Sequence, residues 1–246
     1  MIWYIGLDDT DNKNSRGTGF KSRQLGKLIV EQEIGEVLSI SRHQLFVNDQ
    51  IAYTSQNSSA CLLVKSGYGD VLKDLCIQFI REVAEPGSDA GLCIAREESV
   101  DERIEAWGRR AKEEVLRKEN AYQLAKETGI FLKGYTGTKI GVIGSLAAVG
   151  LRKSGNDGRN IWLKGKELRD LQGVYTVKEL KRIINIQVVK SVQGKVLRGS
   201  DRIDVGDWLR PVIQNNKNTV IVESIKNQNN YEWKAVSKDF IKSISD

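Results

Sequence analysis

The chain has 246 residues, yet no apolar run approaches the ~18 residues a membrane helix needs. No membrane partner is therefore expected. Cysteine is scarce: Cys61, Cys76 and Cys93 are odd in number, widely spaced, and never paired as Cys-x-x-Cys. That argues against a disulfide framework and a cysteine zinc site, and for three buried small side chains in a reducing compartment. His43 is the single histidine, and nothing in the sequence nominates a nucleophile beside it. A surface or structural place is expected for it, with base stacking or phosphate contact as the alternative. The Gly-Lys-Ser/Thr ending of a P-loop is missing, and there is no internal repeat or low-complexity segment. The first residues run from an apolar strand into acids rather than from basic residues into a long apolar stretch. Secretion is not expected, and a cytoplasmic location is.

What is present is an ordinary globular composition, 40% hydrophobic and 28% charged, in a chain long enough for one large domain or two small ones. The net charge of +6 permits an anionic partner without requiring one. Periodicity and turn signals predict strands over 3–7, 37–42, 60–65, 91–95 and 130–135. They predict helices over 20–33 and 70–83, and one kinked or two separate helices over 100–129. The apolar, glycine-bearing stretch 142–151 reads as a buried helix, with a continuous apolar strand as the alternative. Beyond Arg152 the texture changes to a loop over 154–159 and then short strands over 186–189, 195–197, 208–213, 219–222 and 231–236. The expected class is α+β, mixed sheets with packed helices followed by a small β-rich C-terminal module. The division is placed at 1–155 and 156–246.

Asp8, Asp9 and Asp11 put three carboxylates within four residues at the end of the first strand. Their mutual repulsion calls for compensation, and a hard divalent cation is the usual source. Magnesium is satisfied by one or two carboxylates plus phosphate oxygens, so the cluster suits a metal–triphosphate site; a solvated acidic loop is the alternative. Thr10 lies inside the cluster. Gly17, Thr18 and Gly19 then lead into a helix start, which offers backbone N–H groups to an anion, with Lys21 one turn on; an ordinary glycine turn is the alternative. Gly137, Thr138, Lys139 and Gly141 form a second glycine turn between a strand and a helix, suited either to close packing or to a ligand. Asn57, in the polar stretch 53–60, can read a base or hold a turn. Between Lys178 and Arg198 six basic residues stand against Glu179, a local +5 that reads as a solvated face or an RNA-binding one.

The segment Ile5-Gly6-Leu7-Asp8-Asp9-Thr10-Asp11 resembles the Gly-Ile-Asp-Asp-Thr-Asp-Ser opening of the archaeal tRNA(Ile2) 2-agmatinylcytidine synthetases. The run from Gly137 to Gly150 is similar to that family's Gly-Asn-Gly-Arg-Gly-Leu-Ile-Gly-Ala-Leu-Ala-Ala-Ile-Gly. Asn57 matches the asparagine of its Lys-Thr-Arg-Gly-Asn segment, and residues 87–94 have a counterpart. The matches keep their order over residues 1–150. The resemblance implies a kinase-like and a ferredoxin-like part, ATP and Mg2+ as cofactors, and a nucleotide and tRNA or another RNA as partners. It implies an ATP-dependent ligase or phosphotransferase in which Asp8, Asp9 and Asp11 hold metal and phosphates. The chain departs from the family at three places. Phe20 stands at the family's phosphate-accepting threonine, with Thr18 two residues before it. Ser55 and Gln56 replace a basic pair, and the zinc ribbon is absent. A non-catalytic RNA- or nucleotide-binding relative and a small-metabolite enzyme are the alternative expectations.

Overall fold

The computed structural model describes residues 1–51, 53, 56–228 and 231–245. Strict alternation in the first strand, β1 (Ile2–Asp8), sets a two-faced core. Trp3, Ile5 and Leu7 enter one apolar cluster and Tyr4 the opposite one. The chain continues through α1 (Thr18–Glu31), β2 (Glu36–Gln44), β3 (Ser58–Lys65), α2 (Gly69–Val83) and β4 (Gly91–Arg96). These four strands lie in the order β4-β1-β3-β2, every neighbour antiparallel. The connections put α1 and α2 on the same face, where Leu25, Ile29, Leu72, Cys76 and Ile80 cover Ile5 and Leu7. Each such side chain contributes about 1.5–3 kcal/mol by leaving water.

The opposite face is covered by α3 (Glu102–Arg110), α4 (Lys118–Thr128) and α5 (Val142–Ser154), with β5 (Phe131–Gly134) added beside β4. The charged stretch 100–129 is thus two helices. The first starts at Asp101, whose carboxylate accepts from the N–H groups of Arg103 and Ile104. The apolar stretch 142–151 is a helix and not a strand. It lies hard against β1: a β-carbon on Gly6 would overlap the Ser145 carbonyl, and one on Gly144 would overlap the Asp8 carboxylate. The packing and ligand readings of these glycines therefore meet at one place.

The remaining chain forms β6 (Arg159–Leu163), β7 (Lys166–Glu167), β8 (Val174–Thr176), α6 (Val177–Ile184), β9 (Val188–Ser191), β10 (Arg202–Asp204), β11 (Val212–Gln214), β12 (Lys217–Gln228), β13 (Tyr231–Ala235) and α7 (Lys238–Ser245). Here the expectation of strands alone is corrected. The segment α6 is a helix with a Thr176/Glu179 capping box, and Val177, Leu180 and Ile184 form its buried stripe. The stretch 195–197 makes only an isolated bridge, Lys190 to Val196. Of 208–213, only the last residues pair as strand. The segment β6 takes in Arg159, expected at the end of the 154–159 loop; Arg159 and Asn160 are both buried by partners distant in sequence. It pairs with β2 on one side and β11 on the other. One mixed sheet therefore runs through the α+β fold, thirteen strands and seven helices among the described residues. No helix among them is long and apolar enough to cross a membrane.

Candidate functional site

At the end of β1 the backbone turns sharply. Asp8 closes the strand and Asp9 takes a left-handed conformation, φ +48°. Aspartate tolerates that conformation better than most residues. The turn places Asp8, Asp9 and Asp11 on the wall of one cavity, together with Thr18, Asn57, Gly141 and Gly144. Burial, then the neighbouring Asp9 charge, holds the Asp8 carboxyl well above the usual carboxylate range. Burial, then the charges of Asp89 and Asp11, pushes Asp9 up to about 6. The acid wall of the cavity is short of positive charge. Leu45, Ile51, Val115, Leu116 and Ile143 supply the apolar part of the cavity lining.

Asp11 is committed to the helix start. Its Oδ1 accepts from the Thr18 N–H at 2.8 Å and from the Thr18 hydroxyl at 2.9 Å. Buried Thr10 donates its hydroxyl to Thr18 Oγ1 at 3.1 Å, and its N–H does so at 3.2 Å. The first N–H of α1 is thus answered by a carboxylate of the same loop, as the dipole favours. Gly17 and Gly19 flank Thr18 but face a second cavity. Lys21 does not line the acid cavity; it pairs with Glu85 at 2.8 Å.

The second glycine turn is stitched to the acid loop through Asp89. The Asp89 N–H donates to Asp9 Oδ2 at 3.2 Å, its carboxylate accepts from the Lys139 N–H at 2.9 Å, and its carbonyl accepts from the Gly141 N–H at 2.9 Å. Those two N–H groups are already used within the protein. Gly137, Thr138 and Lys139 are exposed and lie off the cavity, whereas Gly141 lines it. Asn57 lines it too. Its Nδ2 donates to the Phe46 carbonyl at 2.7 Å, and its own carbonyl accepts from Gln44 Nε2 at 2.6 Å. Thr54 and Ser55 lie outside the described residues. Asp89 was missed in the sequence, although the break Pro86-Gly87-Ser88-Asp89 marks its place. The 111–116 connection was missed as well, since it carries no motif.

His43 does find a partner set. Its Nδ1 lies 2.8 Å from Asp157 Oδ1 and its Nε2 lies 2.8 Å from Ser41 Oγ, which is the spacing of an acyl-transfer triad. Ser41 and His43 are fully buried and line none of the described cavities. No substrate reaches the hydroxyl, so the set is structural, and Lys112 completes it by pairing with Asp157. Burial, against the Asp157 contact, lowers the His43 pKa. The unfolded chain takes up a proton near the ordinary histidine value while the folded chain does not. The His43 contribution is therefore present above that value and lost as pH falls below it. Between pH 7 and 5 the melting temperature of the wild type is expected to fall more steeply than that of His43→Gln; equal slopes in thermal melts would contradict this.

No family model and no curated protein matches the chain. Solved structures do. Apo TiaS (tRNAIle2 agmatidine synthetase) superposes at a TM-score of 0.53 with 25% identity, over 61% of this chain and 35% of that one. The TiaS–tRNA(Ile2)–ATP complex gives 0.54 and 26%, over 61% and 36%. The TiaS–tRNA(Ile2)–AMPCPP–agmatine complex gives 0.53 and 25%, over the same shares. The resemblance carried by the opening motif is thus also one of structure. The chain spans little more than a third of the length of those proteins.

Proposed function

We propose that this chain binds ATP with magnesium in the acid cavity and uses it, as a ligase or phosphotransferase, to modify a tRNA or another RNA. One observation carries the reading. Distant segments of the chain converge on a single cavity whose wall carries both carboxylates and apolar side chains. That is the polarity of a metal–triphosphate joined to a base. The TiaS structures with ATP and with AMPCPP support it. The β-α-β-β-α-β order of the first six elements and their strand arrangement support a ferredoxin-like unit. In this reading residues 1–155 carry the nucleotide.

The donor set fits magnesium in a particular way. Among the described residues no group of three His, Cys, Asp or Glu side chains forms a metal cage. Asp11 is already engaged with Thr18. Asp8 and Asp9 are crowded, and their ionised forms are disfavoured by their surroundings, so they gain most from a cation whose other ligands are phosphate oxygens. Bound there, magnesium supplies charge neutralisation on the phosphates. The protein supplies the rest. Asp11 and Thr10 hold the Thr18 hydroxyl in the cavity wall, Asn57 fixes the 44–46 wall, and Gly141 and Gly144 let the start of α5 pack closely against Asp89 and Asp8. The apolar lining takes the base and excludes water.

Titration calorimetry tests the reading. ATP is expected to bind with magnesium and much more weakly with EDTA present, and RNA to stimulate ATP turnover. No detectable heat from the wild type with ATP and magnesium would overturn it.

A further inference from the structure

The second cavity lies on the other side of the Gly17–Gly19 turn, and Gln56 borders both cavities. Its lining contains no Asp or Glu. Arg42 from β2, Arg159 from β6 and Arg210 from the segment before β11 meet there. Arg159 and Arg210 are 2% and 3% exposed. The contacts of Arg42 and Arg210 are with neutral oxygens. Arg42 donates to Ser58 Oγ at 3.0 Å and to Gln56 Oε1 at 2.7 Å; Arg210 donates to the Leu209 carbonyl at 2.6 Å. Arg159 donates to Ser245 Oγ at 2.7 Å. Exposed Arg16, Arg169 and Lys238 stand at the rim, and Arg210 lies 4.9 Å over the Trp208 ring.

Like charges drawn out of water repel one another and lose hydration. Burial, then Arg42 and Arg210, lowers the Arg159 pKa to about 9. Burial, then Arg169 and Arg23, lowers Arg210 to about 10. Glu167 answers Arg23 with an ion pair at 2.5 Å from outside the cavity lining. Arg42 and Arg210, held by neutral oxygens, present charge that an entering anion can neutralise, and planar guanidinium forks match phosphate oxygens in pairs.

We propose that this arginine cleft is a site for a compact phosphate or pyrophosphate group of the second substrate, next to but separate from the nucleotide cavity. The assignment to a second substrate rests on the proposed function; the anion site itself does not. Sunken guanidinium groups beneath a basic rim suit a terminal phosphate better than the side of a duplex, whose phosphates lie along a convex surface.

The experiment is thermal melting and calorimetry of the full chain with inorganic pyrophosphate in EDTA. Pyrophosphate is expected to raise the melting temperature of the wild type. Arg210→Met removes one of the repelling charges, so it is expected to melt higher without the anion and to bind pyrophosphate at least tenfold more weakly. Lys238→Ala, at the exposed rim, keeps the fold and weakens binding by a smaller factor. Asp9→Asn, which disables the acid cavity, leaves the pyrophosphate effect in place. That separates failure of this site from failure of the nucleotide reading. A 5′-phosphorylated oligoribonucleotide that displaces pyrophosphate better than its 5′-hydroxyl twin assigns the group to an RNA end. Displacement by a phosphorylated ribonucleoside but by neither oligonucleotide assigns it to a small substrate. No pyrophosphate effect on the wild type, an undiminished one in Arg210→Met, or equal displacement by both oligonucleotides would overturn the proposal.

Discussion

Asp9→Asn is expected to melt higher than the wild type at pH 7 and to bind ATP with magnesium at least about 100-fold more weakly. The two effects share a cause. Burial and the charges of Asp89 and Asp11 raise the Asp9 carboxyl to about 6, so its ionised form is disfavoured in the folded protein. The unfolded chain releases that proton near the ordinary aspartate value. Stability is therefore lost as pH rises from about 4 to about 6, and the loss is complete at pH 7. Screening through the cavity mouth reduces the cost to about 1 kcal/mol, or about 2–4 °C for a chain of this size. Asparagine accepts the left-handed backbone and can still receive the Asp89 N–H. The fold is kept and the repulsion is gone. So is a metal ligand, and even a residue behind the ligands costs about 10–100-fold in metal affinity. Melting curves and calorimetry on one preparation decide it. Unchanged affinity, or a lower melting temperature, would remove Asp9 from the site.

Gly6→Ala is expected to cost about 3 kcal/mol in denaturant unfolding and to impair nucleotide binding as well. Its β-carbon would meet the backbone carbonyl of Ser145, not the end of a flexible side chain. Relief therefore requires α5 to move away from β1. That helix carries Gly141 and Gly144 against the acid cavity, and nine of its residues are buried, so it has little freedom to shift alone. An alanine variant as stable as the wild type would mean that the contact between β1 and α5 is looser than the structure describes.

The sequence by itself determined the features that depend on neighbours in the chain. The acid loop at the end of a strand, the glycine turn opening α1, and the helical and buried character of 142–151 follow from composition over a few residues, because strand ends, caps and amphipathic stripes are local. Asp8, Asp9 and Asp11 were legible as a group for the same reason. Tertiary structure decided what each polar group spends its charge on. Lys21 stands one turn into α1, yet it pairs with Glu85, 64 residues away. Asp11 is turned back onto Thr18, and Asp89 ties together two loops that share no motif. His43 looked solitary because Asp157 is 114 residues further on. The basic run between Lys178 and Arg198 stood out in the sequence, but the concentrated positive charge is elsewhere. Arg42, Arg159 and Arg210 come from three separate segments that meet where β6 joins the sheet beside β2. Electrostatic energy depends on distance through space and on water excluded, and neither quantity is written along the chain.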